Sequence, residues 1–288
     1  MAVPYKAPVK DIVFGYEVID SYNVLNKISA FSDFSEDIVI PTMEECAKFS
    51  EEVLAPINAI GDQQGATIKD GVVTMPEEFV DAYKKFAEAG WASISLPSDI
   101  GGGGMPITLS GGTLDILSTA NLAFGLAPGL SAGAISAIIF HGRQEQKDKF
   151  LPKMVEGKWS GTMCLTESQC GTDLGLIKTK ASKQNDGSFL LTGQKIFITS
   201  GDHDLTENII HLVLAKIPGG PSGTKGISLF LVPKFNVNDD STIGSRNGVN
   251  TLSIESKMGI KGSPTVSYTH LRAHETRHDL VCRLLLEK

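Results

Sequence analysis

Cysteine is scarce in this chain of 288 residues: there are four, Cys46, Cys164, Cys170 and Cys282, and no CxxC. That excludes a disulfide framework and makes a reducing, cytoplasmic setting the default expectation. Basic residues are outnumbered, 26 Lys and Arg against 33 Asp and Glu, for a net charge of −7. Nucleic acid and anionic membranes need basic surface, so neither is an expected partner. Long apolar runs are missing too. The best, 122–140, is interrupted by Pro128 and by Gly125, Gly129 and Gly133, so no membrane span is expected. The first ten residues lack the apolar core of a signal peptide. Neither an internal repeat nor a low-complexity tract occurs. What remains is ordinary for a globular chain, and 41% hydrophobic residues suffice for a core.

Residues 1–34 carry no sustained period and read as an extension. From 35 to 158 the pattern is helical. Val39, Met43, Cys46, Ala47, Val53, Leu54 and Ile57 recur at steps of three and four. Thr42-Met-Glu-Glu45 reads as a capping box beside Pro41. Phe79, Tyr83, Phe86 and Ala87 repeat the spacing after Pro76. Segments 109–125 and 132–140 are apolar on most sides, as in helices buried between others, and 143–156 is charged on one face. After Trp159 the period falls towards two. Segments 161–166, 188–192, 195–199, 209–215 and 227–232 read as short strands. Turn signals at Asn185-Asp-Gly187, Thr192-Gly193 and Pro218-Gly-Gly-Pro221 separate them. The expected class is α+β: an N-terminal all-α domain, 35–158, then a small antiparallel β-barrel or sandwich, 159–266.

Gly101-Gly-Gly-Gly104 invites a phosphate-loop reading. The Gly-Lys-Ser/Thr of a P-loop is missing and Pro106 breaks GxGxxG, so a flexible loop after Leu96 and Pro97 is the better reading. His270, His274 and His278 stand four apart and would share one helix face, as metal ligands do. The zincin His-Glu-x-x-His is missed by one place after Glu275, so no metal is expected. No serine has the context of a hydrolase triad. Two segments are more informative: Met163-Cys-Leu-Thr-Glu-Ser-Gln-Cys-Gly-Thr-Asp173 and Leu191-Thr-Gly-Gln-Lys-Ile-Phe-Ile-Thr-Ser-Gly201. Thr166, Thr172, Thr199 and Ser200, with the amides around Gly171 and Gly201, can donate to an anionic or carbonyl-rich ligand. Phe197 alternates with Thr199 on one strand face, an aromatic wall beside a hydroxyl. From spacing alone, two hairpins with solvated turns is the simpler reading.

With their neighbours, these segments resemble the flavin-binding signatures of the acyl-CoA dehydrogenase family. The matching strings are Leu96-Pro-Ser-Asp-Ile-Gly-Gly-Gly-Gly104, Gln146-Lys-Asp-Lys-Phe-Leu-Pro-Lys153, Cys164-Leu-Thr-Glu167 with Gly171-Thr-Asp173, Gly193-Gln-Lys-Ile-Phe-Ile-Thr199 and Ser256-Lys-Met-Gly-Ile-Lys-Gly262. They run in order across residues 35–266. Tyr5-Lys-Ala-Pro-Val-Lys10 and Arg246-Asn-Gly-Val249 resemble the long bacterial branch that includes the 3-methylmercaptopropionyl-CoA dehydrogenases. The loop departs from the usual Glu-Pro-Gly-Ala-Gly-Ser-Asp, reading Glu167-Ser-Gln-Cys-Gly-Thr-Asp173.

The resemblance implies FAD as cofactor, bound by Met163, Leu165, Thr166, Gly171, Thr172, Phe197 and Thr199. It puts Thr166 at the flavin ring edge, Thr199 near N5, and Phe197 in place of a tryptophan against the ring. Thr172 replaces a serine near the pyrophosphate and acyl-CoA chain, and Met163 and Leu165 line the ring face through side chain or backbone. It implies α,β-desaturation of an acyl-CoA thioester, an electron-transfer flavoprotein as partner, and a homo-oligomer in the full-length protein. The family's glutamate base belongs to a C-terminal helical domain, so no catalytic base is assigned, and Glu167 belongs to the flavin loop. Other members of the fold stay open: an acyl-CoA or nitroalkane oxidase, or a non-enzymatic DNA-associated protein. Residues 267–288 resemble translated sequencing-adapter read-through. They are expected to be non-native, and the chain a C-terminally truncated, inactive fragment.

Overall fold

The computed structural model describes residues 4–274. Helices fill its first half: α1 (Val9–Val18), α2 (Ser21–Leu25), α3 (Glu36–Phe49), α4 (Ala55–Gln63), α5 (Glu77–Glu88), α6 (Ile107–Ala120), α7 (Leu122–His141) and α8 (Gln144–Val155). In α5, Glu77 and Glu78 complement the helix N-terminus and Lys85 the C-terminus, while Phe79, Ala82, Tyr83 and Phe86 form the buried face. That face meets Phe124 of α7, whose ring stands edge-on to Phe86 at 5.7 Å.

Several expectations are corrected here. Residues 9–25, read as part of an extension, form α1 and α2, and Tyr16 Oη donates to the Thr108 carbonyl at 2.6 Å. Thr42 does not cap a helix. It lies inside α3 with Pro41, and its hydroxyl donates back to the Ile38 carbonyl at 2.7 Å. The periodic run 39–57 is divided by a π-helical turn, Ser50–Leu54. A hairpin that periodicity misses, β1 (Thr67–Lys69) with β2 (Val72–Thr74), turns on Asp70 and Gly71, both at positive φ as a type I′ turn requires. The glycine loop is hydrogen-bonded along its own backbone. The amides of Gly101, Gly102, Gly103 and Gly104 donate to Ser98, Pro97, Ser93 and Leu96 carbonyls. A Cβ on Gly103 would lie 2.6 Å from the Ile94 oxygen, so those amides hold the loop and cradle nothing.

α7 runs unbroken through Pro128. Its length and composition, with a mean hydropathy of 1.8, would suffice to cross a membrane. Here it is a core helix: Ala123, Phe124, Ala134, Ile135 and Ile138 are buried in the protein's own interior. Asn121 starts it, accepting the Phe124 amide and donating to the Leu54 carbonyl.

The second half is a curled sheet of β3 (Trp159–Cys164), β4 (Lys180–Lys183), β5 (Phe189–Thr199), β6 (Asn208–Lys216), β7 (Ile227–Pro233), β10 (Val249–Ile254) and β11 (Thr265–His274). The order is β10-β11-β5-β4-β6-β3, with β7 also on β6. A separate pair, β8 (Phe235–Val237) and β9 (Ile243–Arg246), lies beside it. The class is α+β as expected, with mixed pairing: β3 runs parallel to β6 along its whole length. β5 is one strand, without a turn at Thr192-Gly193. Gly193 is needed there because the Thr179 side chain occupies the space a Cβ would take. The boundary expected at 266 falls inside β11. His270 is thus on a strand rather than a helix, and His278 lies outside the described residues. Among the described residues no three His, Cys, Asp or Glu side chains gather as a metal site.

Candidate functional site

β3 and β5 meet where the sheet curls back on itself. Thr162 Oγ1 donates to the Thr199 carbonyl at 2.7 Å, and the Ile196 amide donates to the Thr166 carbonyl at 2.9 Å. The two informative segments are thereby side by side. β3 is held from behind by α7: the Gly161 amide donates to Ser131 Oγ at 3.1 Å, and Ala134 packs where a Gly161 side chain would be.

The register of β5 against β11 slips between the pairs Lys195–Tyr268 and Ile198–Val266, a bulge that inserts one residue into β5. Phe197 lies in it at φ 58°, and Ser200 follows at φ 51°. A left-handed backbone is unfavourable for a phenylalanine, and such strain persists only where the surroundings over-determine it. The ring gains no burial in return: Phe197 is 58% exposed. Thr199 two residues on, and Thr166, whose carbonyl holds the neighbouring Ile196 amide, are both half-buried. Gly171 lies by Thr166, its Cβ position 3.6 Å from Thr166 Cγ2, and the exposed Thr172 follows. Met163 and Leu165 are half-buried and pack inward towards Cys170, Ile177, Leu214 and Ile227. The Gly201 amide, expected as a donor, is spent on the Ile198 carbonyl.

Beneath this surface lies an arrangement that spacing does not reveal. Glu167 is 4% exposed and accepts five hydrogen bonds. Oε1 takes the Thr179 amide, Thr179 Oγ1 and Lys195 Nζ; Oε2 takes the Lys178 amide and Gln169 Nε2. Burial alone would push this carboxyl up. The bonds from Thr179, Lys178 and Lys195 outweigh it and hold it down at about 2. The sequence signal, in hindsight, is Gly193, which leaves room for Thr179.

Other polar groups are committed elsewhere. Asp202 pairs with Lys234 at 2.6 Å and accepts Thr251 Oγ1. His203 Nδ1 accepts the Leu205 amide, so its proton is on Nε2, facing Ser160 Oγ at 3.3 Å. That histidine cannot act as a base towards Ser160. Two open grooves of about 700 Å³ lie away from the site, one beside Tyr83 and Leu205, the other beside Val9 and Ala47.

Residues 41–158 match the acyl-CoA dehydrogenase N-terminal domain, and residues 162–272 the acyl-CoA dehydrogenase middle domain. The 3-methylmercaptopropionyl-CoA dehydrogenase of Ruegeria pomeroyi is 41% identical over 261 residues, 91% of this chain and 44% of that protein. A butyryl-CoA dehydrogenase of Syntrophomonas wolfei is 39% identical, with the same two coverages of 91% and 44%. The chain therefore spans less than half the length of these relatives. An acyl-CoA dehydrogenase of Bacillus anthracis, solved complexed with FAD, is 25% identical with a TM-score of 0.67, covering 85% of this chain and 37% of that one. With both domains matched in sequence order, the chain belongs to the acyl-CoA dehydrogenase family.

Proposed function

We propose that this chain is the flavin-binding part of an FAD-dependent acyl-CoA dehydrogenase, with Met163, Leu165, Thr166, Gly171, Thr172, Phe197 and Thr199 at the cofactor. The observation that carries the reading is Phe197: a solvent-facing ring on a left-handed bulge residue, in the segment that carries the half-buried Thr199 and bonds to that of the half-buried Thr166. These residues suit a flat ring with polar edges. The Thr166 and Thr199 hydroxyls can bond edge atoms, and the Phe197 ring can cover a face and keep water from it. Gly171 and Thr172 offer an open, polar loop to a phosphate.

FAD, when bound, supplies the acceptor for a hydride from the carbon β to a thioester. Removing the α proton needs a free carboxylate within contact reach. Glu167 is unsuited to that, with both oxygens engaged and its acidity raised. On this reading the chain alone binds FAD weakly and does not turn over acyl-CoA. The base, the electron-transfer flavoprotein contact and any homo-oligomer belong to the whole protein, of whose relatives this chain spans 44%.

The test is a fluorescence titration of FAD into the chain, paired with dye reduction by acyl-CoA thioesters. The expected Kd is weaker than about 10 μM, weaker again in Phe197→Ala and Thr166→Val, with no dye reduction. Equal FAD binding in wild type and both variants would overturn the site. Dye reduction would overturn the inactive-fragment reading.

A further inference from the structure

We infer that Lys195 and Gln169 are positioning residues for the flavin site, acting through the Glu167 carboxylate. The inference rests on the reading of that site given above. Both side chains bridge. Lys195 Nζ donates to Glu167 Oε1 at 2.9 Å and to the Leu165 carbonyl at 3.0 Å. Gln169 Nε2 donates to Glu167 Oε2 at 2.6 Å and to the Leu176 carbonyl at 3.2 Å. One carboxylate thus joins the Leu165–Thr166 stretch, the return segment at Leu176 to Thr179, and β5.

The loop needs such joining. Ser168, Gln169 and Cys170 include no proline, so no residue in that stretch has a fixed φ to set its path. Its backbone closes on itself only through the paired bonds between Glu167 and Cys170. Side chains supply the rest. The Lys195 backbone also borders the bulge. Lys195 is the last paired residue before Phe197 and has no side-chain exposure, while beyond it the Thr199 carbonyl is held by Thr162. A left-handed phenylalanine pinned on both sides is what an over-determined backbone requires. Removing the Lys195 charge would release the Leu165 carbonyl and one anchor of the Glu167 carboxylate together, loosening the segment whose Thr166 carbonyl holds the Ile196 amide beside Phe197. The residues of the proposed flavin site would then move, although Lys195, buried beneath them, does not reach the ligand.

The experiment uses the 288-residue chain and three variants: Lys195→Met, Gln169→Ala, and the doubly neutral Lys195→Met with Glu167→Gln. The double variant removes the buried pair as a unit and guards against misfolding of the single one. Two readouts are taken on folded protein. One is FAD affinity with the position of the bound flavin absorption band. The other is amide hydrogen exchange at Lys178, Thr179 and Ile196 without FAD. The expected result for Lys195→Met is a roughly tenfold rise in both Kd and exchange rate, the scale of one charge-assisted hydrogen bond, together with a shifted band. Because Lys195 acts through Glu167, the double variant is expected to lose no more than Lys195→Met loses alone. Folded Lys195→Met with unchanged exchange and unchanged Kd would overturn the inference. If wild type leaves the flavin unperturbed, the flavin reading of the site fails, and the exchange rates alone decide whether Lys195 positions this loop.

Discussion

Gly161 of β3 lies directly against Ala134 of α7: a Cβ on Gly161 would overlap the Ala134 methyl and come within 2.9 Å of Met154 Cε. The helical domain therefore sets the height of β3, and β3 delivers Met163 to Thr166. Gly161→Ala is expected to destabilise the chain by about 2–3 kcal/mol through overpacking. Urea unfolding followed by circular dichroism measures it. An unchanged midpoint would show that α7 can shift to accommodate a methyl group.

Phe197 gives the opposite kind of prediction. Its ring is 58% exposed and its φ is 58°. Phe197→Gly relieves about 1 kcal/mol of left-handed strain while discarding little burial. It should leave stability level or slightly raised as FAD binding weakens. A loss of more than about 2 kcal/mol on urea unfolding would instead mean that the ring is packed, as for a core aromatic.

Three histidines make the fold acid-sensitive. Burial, reinforced by Lys234 against the pull of Asp202, lowers His203 to about 3. Burial, then Lys195, lowers His270 to about 4. Burial and His270 hold His211 well below its ordinary value. All are neutral when folded, yet protonate near 6.5 when unfolded, so the unfolded chain binds more protons as the pH falls below 6.5. Their stabilisation is complete above about 6.5 and is lost progressively below it, towards about 4 for His270 and about 3 for His203, at up to about 1.4 kcal/mol per pH unit for each. Glu167 adds a second loss at lower pH, from its ordinary 4.5 down to about 2. Urea midpoints should stay level from pH 8 to about 6.5 and fall steeply from there to pH 5. A flat profile would contradict neutral burial of these rings.

Two tyrosines separate satisfied from orphaned hydroxyls. Tyr16 Oη donates to the Thr108 carbonyl, so Tyr16→Phe should cost about 1 kcal/mol. Tyr268, 1% exposed, has no hydrogen-bond partner for its hydroxyl among the described residues, and neither has the His270 ring. Tyr268→Phe should be neutral or stabilising by up to about 1 kcal/mol. Thermal unfolding of both variants gives the comparison. Both orphaned groups lie in residues 267–274, the described part of the stretch that the sequence reading expects to be non-native. A loss of stability in Tyr268→Phe would count against reading that stretch as foreign.

Much of the fold was legible from local pattern. The spacing of Phe79, Tyr83 and Phe86 marked α5, and short continuous apolar runs marked β6 and β7. The errors were also local. Thr42 looked like a cap because a capping box is a string, whereas capping depends on where the chain enters the helix. Gly193 looked like a turn because glycine favours turns, although its reason here is the Thr179 side chain lying across the strand. Within the site, the hydroxyls and the aromatic could be named, but their support could not. Glu167 and Lys195 are 28 residues apart and Glu167 and Thr179 are 12 apart, with no period to link them.

The sequence by itself marked the helices from α3 to α8 and the strands β3, β5, β6 and β7, because their apolar residues repeat or cluster within a single segment. It also carried the motif strings by which the family is recognised. Only the tertiary structure decided that β3 lies parallel on β6, that Phe197 takes a left-handed backbone in a bulge, and that five donors converge on one buried carboxylate. Each of these depends on which distant segments share an interior. That is settled by competition for burial and for hydrogen bonds across the whole chain, which no local window contains.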